Sequence, residues 1–296
     1  MILVTGSEGL IGRAVIERLS ARGLEVRHFD IKRHPSEDIC NPESLAKALA
    51  GVTGVLHLAA VTRVVWAQND PELCRRTNVG SIRSLVRLCL AQKARPWLIS
   101  ASSREVYGQA DAFPVHEDSE KRPMNVYARS KAEGERIVEG ARENGLVANI
   151  CRFANVYGSA KDHSDRVVPA FAHAAAFGGV IRVEGPGNAF DFTFVDDVAD
   201  GLERLIMATS EGRCLPPIHF VSGSSASLGD LADLARKHAQ APVSVQVSEP
   251  RSFDVSSFVG DPGRAHELLG WRSSTSLVAG FQKLLERQLM AKASSG

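Results

Sequence analysis

Long apolar runs are missing from this chain of 296 residues. No stretch reaches the roughly 18 residues that a membrane-spanning helix requires. Blocks of like charge are missing too. With 35 basic against 34 acidic residues, the formal net charge is +1, which excludes a whole-chain attraction for nucleic acid and leaves any anion to be held by local geometry. Cysteine is sparse: Cys40, Cys74, Cys89, Cys151 and Cys214 are odd in number, widely spaced and never arranged as C-x-x-C. That pattern argues against a disulfide framework and a zinc site, so no metal is expected. Met1 leads straight into an apolar strand pattern that leaves no room for a secretory leader, which with the reduced thiols predicts a cytoplasmic protein. Internal repeats and low-complexity linkers are absent. What remains is an ordinary globular composition, 44% hydrophobic and 23% charged, at a length where one core stops growing and a second lobe is expected.

The first half alternates short β-branched or aliphatic runs with segments of helical period, the pattern of βαβ units around a parallel sheet. It predicts strands over 2–5, 24–29, 53–59, 97–102 and 146–152, and helices over 10–22, 42–50, 71–93 and 125–144. A loop runs from Asp111 to Pro123. Beyond residue 157 the pattern loosens, with a helix near 166–177, a strand at 180–184, a helix at 196–208 and a strand at 217–222. The fold class is therefore α/β, a doubly wound parallel sheet with a smaller, discontinuous lobe.

The segment ILVTGSEGLIG places Gly6, Gly9 and Gly12 between the first strand and a helix whose apolar face is Leu10, Ile11, Ala14, Val15 and Leu19. Glycine is needed where the backbone turns with positive φ, and where a pyrophosphate must approach a helix N-terminus more closely than a Cβ permits. Asp30 ends the second strand at the distance expected for a ribose-binding acid. A carboxylate there accepts from a 2′-hydroxyl and repels a 2′-phosphate, which favours NAD over NADP, although Lys32 and Arg33 partly neutralise it. This Rossmann-type reading assigns residues 1–157, with returning segments about 190–222, to dinucleotide binding, and 158–189 with 223–296 to a substrate-binding lobe.

Tyr127 and Lys131 form Y-x-x-x-K on one face of a predicted helix. A tyrosine with an ordinary pKa near 10 must be shifted by roughly three units to act as a base at neutral pH, about 4 kcal/mol. Lysine and an oxidised nicotinamide are charges of the right size. With ISASSREVYG upstream and RFANVYG downstream, the sequence resembles the extended short-chain dehydrogenase/reductase family, the NAD-dependent nucleotide-sugar epimerases and dehydratases, over nearly its whole length. The resemblance implies a catalytic set of Ser103, Tyr127 and Lys131. It implies a cofactor wall of Gly6, Gly9, Leu10, Ile11, Gly12, Asp30, Asp38, Ile39, Leu58, Ala59, Ala60, Asn78 and Phe153, with Tyr127 and Lys131. On the substrate side it implies Ser102, Ser103, Tyr127, Asn155 and Arg251, and Val168, Phe171, Arg182 and Phe190 are candidate wall residues by position alone. Tyr127 would take a proton from a sugar hydroxyl while hydride passes to NAD. His57 reads as a packed strand-end residue. A homodimer through the helix after Asn78 and the Tyr127 helix is also implied.

Two positions depart from the family pattern. Glu105 stands where dehydratases and some decarboxylases carry an acid for a second proton, but Arg104 precedes it and can simply pair with it. Phe190, in AFDF, replaces an arginine that many members use on the nucleotide phosphates. The expected reaction is 4-epimerisation of a nucleotide-sugar through a keto intermediate. The alternatives are elimination or decarboxylation through Glu105, a plain reductase of another substrate, and a dinucleotide-binding sensor without activity.

Overall fold

The computed structural model describes residues 1–249 and 255–293. In chain order the first unit contains β1 (Ile2–Thr5), α1 (Leu10–Ala21), β2 (Val26–Phe29), α2 (Pro42–Ala48), β3 (Gly54–His57), α3 (Val64–Asn69), α4 (Pro71–Arg75), α5 (Ser81–Ala91), β4 (Trp97–Ser103), α6 (Val126–Glu143) and β5 (Ala148–Phe153). There follow β6 (Asn155–Tyr157), α7 (Val167–Phe177), β7 (Gly179–Glu184), β8 (Ala189–Phe194), α8 (Val195–Ser210) and β9 (Ile218–Phe220). The chain ends with β10 (Ser225–Ser227), α9 (Leu228–Lys237), β11 (Val243–Ser248), β12 (Ser257–Phe258), α10 (Gly263–Leu269) and α11 (Leu277–Ala293).

Among the described residues, six strands form one parallel sheet in the order β2-β1-β3-β4-β5-β9. Its strands are buried on both faces, which is why they read as continuous apolar runs. The period of two divides them between two cores. Ile2, Val4, Leu56, Ile99 and Cys151 pack under α1 and α8. Leu3, Val55, Leu98 and Ile150 pack under α2, α5 and α6. Each such fully buried aliphatic side chain contributes about 1.5–3 kcal/mol relative to exposure. Arg18 of α1 bridges Asp200 and Glu203 of α8 and ties the first layer at its rim. This Rossmann-type sheet reverses its strand order between β1 and β3, and the crevice outside the carboxyl ends of those strands is where such sheets bind ligands.

The remaining strands form smaller sheets. β8 pairs with β6, β10 and β12, and β7 pairs with β11 in parallel. Their core joins Phe171 of α7, Ile181 of β7, Phe192 of β8, Leu231 of α9 and Phe281 of α11. The buried acids of DFTFVDDVADGL are structural here. Asp191 accepts hydrogen bonds from the backbone and side chain of Ser222 and from Gly223 N. Asp197 accepts from Ser273, Ser274 and Thr275, anchoring the segment that leads into α11.

One expected helix differs. The 71–93 segment is α4 and α5 joined by a π-helical turn at Arg76–Gly80, an insertion that re-aims the side chains it carries. The short helix α3, which precedes it, is not visible as a period because it has fewer than two turns.

Candidate active site

The glycine loop packs against the end of β3. Gly6 has φ +70°, and a Cβ on it would lie 2.7 Å from Ala59 N. A Cβ on Gly12 would overlap the Gly6 carbonyl. The loop leaves a cavity of ≈ 550 Å³ above β1, β2 and β3. Gly6, Gly9, Leu10, Ile11, Gly12, Asp30, Asp38, Ile39, Leu58, Ala59, Ala60 and Phe153 line it. Asp30 is fixed by accepting from Glu8 N and Lys32 N, both at 2.9 Å. Its own N–H donates to Glu37 Oε2 at 2.8 Å, so a second carboxylate, invisible to the motif, stands in the same wall.

A second cavity of ≈ 920 Å³ opens between the sheet and the smaller lobe, and Asn155, Val168, Phe171, Arg182 and Phe190 are in its wall. The two cavities meet at Ser103 and Tyr127, with Thr62, Trp66, Ala154, Val156 and Arg166 also common to both. Tyr127 opens α6, whose N-cap Asn125 accepts from Ala128 N at 2.8 Å. Ser103 ends β4 and shares the walls of both cavities with Tyr127. Its Oγ also caps the following 3₁₀ turn by accepting from Glu105 N at 3.2 Å. Lys131, one turn along α6, donates to Ala101 O at 2.9 Å and stands 5.9 Å from the centre of the Tyr127 ring.

The electrostatics of this junction follow from burial. Desolvation pushes the Tyr127 phenol up to about 12, and Glu105 adds to that, while the Ser103 hydrogen bond and the Arg166 charge act downward. Burial lowers Lys131 to about 8. The downward shift expected for a tyrosine base is therefore not supplied by the protein alone. Glu105 is buried and has both oxygens engaged. Oε1 is 2.9 Å from Arg104 Nη2, and Oε2 accepts from Asn125 Nδ2 at 3.1 Å.

The model of the NAD dependent epimerase/dehydratase family matches residues 2–217. This chain belongs to the NAD dependent epimerase/dehydratase family. It is 29% identical to a UDP-glucose 4-epimerase of Mycolicibacterium smegmatis, covering 96% of this chain and 97% of that protein. Among solved structures it resembles a Thermus thermophilus UDP-glucose 4-epimerase in complex with NAD, at 25% identity and TM-score 0.86, over 97% of this chain and 98% of the other. It also resembles TunA, an NAD dependent NDP-hexosamine 5,6-dehydratase, at 30% identity and TM-score 0.85, over 97% and 96%.

NAD is the cofactor of a family member, and the first cavity fits it. The cradle at Gly6 and Gly12 has no room for a side chain, the α1 N-terminus faces it, and the Asp30 and Glu37 carboxylates stand where a 2′-phosphate would be repelled. Arg33 pairs with Glu8 and with Glu37, so it offsets part of the Glu37 charge, as the sequence suggested, and Asp30 carries the repulsion.

Two expected positions fall elsewhere. Asn78 lies behind the wall, where its amide clamps the Val61 backbone at 2.8 and 3.0 Å and reaches Ser130 Oγ at 2.9 Å. The π-helical turn aims it there. Ser102 lines the first cavity and not the second. Arg251 lies outside the described residues. His57 is packed as expected, between Thr5 Oγ1 at 2.8 Å and Ser81 Oγ at 3.3 Å, with burial and the Lys131 charge lowering it to about 3. Arg166 and Trp66 escaped the sequence reading, because neither belongs to a motif with a spacing to recognise.

Proposed function

We propose that this protein interconverts the configurations of a sugar carbon, the 4-position, in a nucleotide-sugar. The six-stranded sheet would hold the cofactor and the smaller lobe the sugar nucleotide. The observation that carries this reading is the position of Ser103 and Tyr127 at the junction of the two cavities. A hydroxyl held there is in reach of a proton acceptor, while its carbon faces the first cavity. Bound NAD supplies hydride acceptance and return. Tyr127 would take the hydroxyl proton and Ser103 would share that hydrogen bond, while Lys131, tethered to Ala101 O, sets its charge beside the Tyr127 ring and would help to hold the cofactor. Tyr127 would return the proton to the keto oxygen once the sugar has turned its other face toward the first cavity.

Elimination is the second reading, favoured by Glu105 in the wall of the substrate cavity. Against it, both Glu105 oxygens are already engaged, one in an ion pair with Arg104 and the other accepting a hydrogen bond from Asn125. The Asn125 amide cannot turn away without losing its cap to Ala128 N. A carboxylate so held is a poor proton carrier. The proposal includes a homodimer through α5 and α6.

The test is product analysis with UDP-, GDP-, CDP- and dTDP-sugars. A product of unchanged mass and altered configuration supports epimerisation, whereas loss of water or carbon dioxide contradicts it. Glu105→Gln is expected to leave an epimerase active and to abolish an eliminating enzyme.

A further inference from the structure

Two segments from opposite sides of the crevice meet on its solvent side. One follows β3 and enters α3, and the other runs from β6 to α7. The Trp66 ring meets the His163 ring edge-on, with 5.2 Å between centroids. Arg63 Nη1 donates to Asp165 Oδ1 at 2.6 Å, and the Arg63 guanidinium stands 5.8 Å from the centre of the Trp66 ring. Trp66 lines both cavities, His163 the first, and Arg63 and Asp165 the second. The Asp165 side chain is 59% exposed and Trp66 44% exposed, whereas Ser103 and Tyr127 at the same junction are buried. The ties between the segments therefore lie outward of the reacting groups.

Each segment is anchored at its root. The Asn78 amide clamps Val61, and the Gly158 carbonyl accepts from Arg287 Nη1 at 2.6 Å. Gly158 has φ +133°, and a Cβ on it would lie 2.6 Å from the Phe194 ring, so the turn that launches the second segment is fixed as well. Beyond these roots the segments are joined by a part-exposed ion pair and a ring edge. Such contacts are weak beside a buried core, and segments held this weakly over a site are the ones that open to admit ligands. We propose that the two segments form a strap across the mouth of the cofactor cavity, which parts to let NAD enter and leave. The strap serves that cavity whichever reaction follows. Closed, it keeps the reduced cofactor beside the sugar that gave up the hydride.

The experiment follows NADH fluorescence by stopped flow, timing entry into the purified protein and release when excess NAD displaces it. Arg63 and Asp165 lie outside the wall of the cofactor cavity, so a charge reversal at either acts on the strap and removes no contact with NADH. Arg63→Glu and Asp165→Arg each replace an attraction with a repulsion. Each is expected to speed release and entry alike by roughly 2- to 10-fold, with little change in affinity. The double variant Arg63→Glu/Asp165→Arg restores the pair in the opposite sense and is expected to return both rates toward the wild type. Trp66→Ala removes the aromatic tie and is expected to speed release by a similar factor. Denaturant unfolding reports on the fold of each variant. Wild-type rates in both single reversals would overturn the strap. So would faster release with unchanged entry, the mark of a lost contact, or a double variant as fast as the singles.

Discussion

The chain has three tyrosines, and burial pushes up Tyr107, Tyr127 and Tyr157, the first and last more strongly than Tyr127. Tyrosinate absorbance on alkaline titration therefore reports Tyr127 first, near 12 in the free protein. One positive charge about 6 Å away contributes about 3 kcal/mol at an effective dielectric near 20, roughly two units of pKa. NAD is expected to bring the first phenolate band down by that amount, and Tyr127→Phe to remove it. Tyr127→Phe should also lower turnover by roughly 10²- to 10⁴-fold with NAD affinity retained. Lys131 carries the opposite dependence. Its folded value is lowered to about 8, so its charge is present below that pH and lost above it. NAD affinity should weaken as pH rises through about 8, and Lys131→Met should flatten that limb in a binding titration. At this scale the motif residues Ser103, Tyr127 and Lys131 were legible because their chemistry needs a fixed spacing. Arg166 and Glu37 were not, because neither belongs to a motif with a spacing to recognise.

Helix α6 carries Tyr127 and Lys131, and its placement depends on a charge buried in the protein. Glu135, one turn beyond Lys131, accepts from Arg152 Nε and Nη2 of β5 at 2.7 and 2.8 Å. Arg152 Nη1 also donates to Tyr107 Oη at 2.5 Å and Glu117 O at 2.7 Å. The Tyr of E-V-Y-G and the Arg of RFANVYG thus belong to the scaffold that joins β5, α6 and the 3₁₀ turn holding Glu105. Burial opposes ionisation of Glu135, and the Arg152 hydrogen bonds outweigh it, holding the carboxyl below its ordinary value. Removing one partner strands the other charge. Arg152→Met is expected to cost about 3–5 kcal/mol in denaturant unfolding, and replacing both partners with apolar residues less than the sum of the two. In the glycine loop, Gly12→Ala should abolish NAD binding measured by calorimetry, because its Cβ overlaps the Gly6 carbonyl. Elements with a long apolar period were readable to within a few residues: β1 spans the predicted 2–5, and α6 falls within the predicted 125–144. The π-helical turn was hidden, since one inserted residue barely disturbs an apolar period.

At the scale of the molecule, the alternation of strand and helix gave away the parallel sheet, because βαβ crossovers leave both faces buried. The smaller lobe was less legible. β6 and β10 have three residues each and β12 has two, too few for a period to register, and β8 finds its partners β10 and β12 far along the chain. Which sugar enters depends on that lobe, and so substrate choice is the property the sequence carried least. What the two halves do together is the central claim: the sugar is oxidised and reduced again within one binding event. The most direct measurement follows the reduced-nicotinamide absorbance of the NAD-loaded enzyme after rapid mixing with a UDP-sugar, with the sugar recovered for configurational analysis. A band that rises, decays without net reduction and leaves a mixture of two isomers is the predicted result. Stoichiometric accumulation of free NADH, or isomerisation that persists at full rate in Tyr127→Phe, would contradict it.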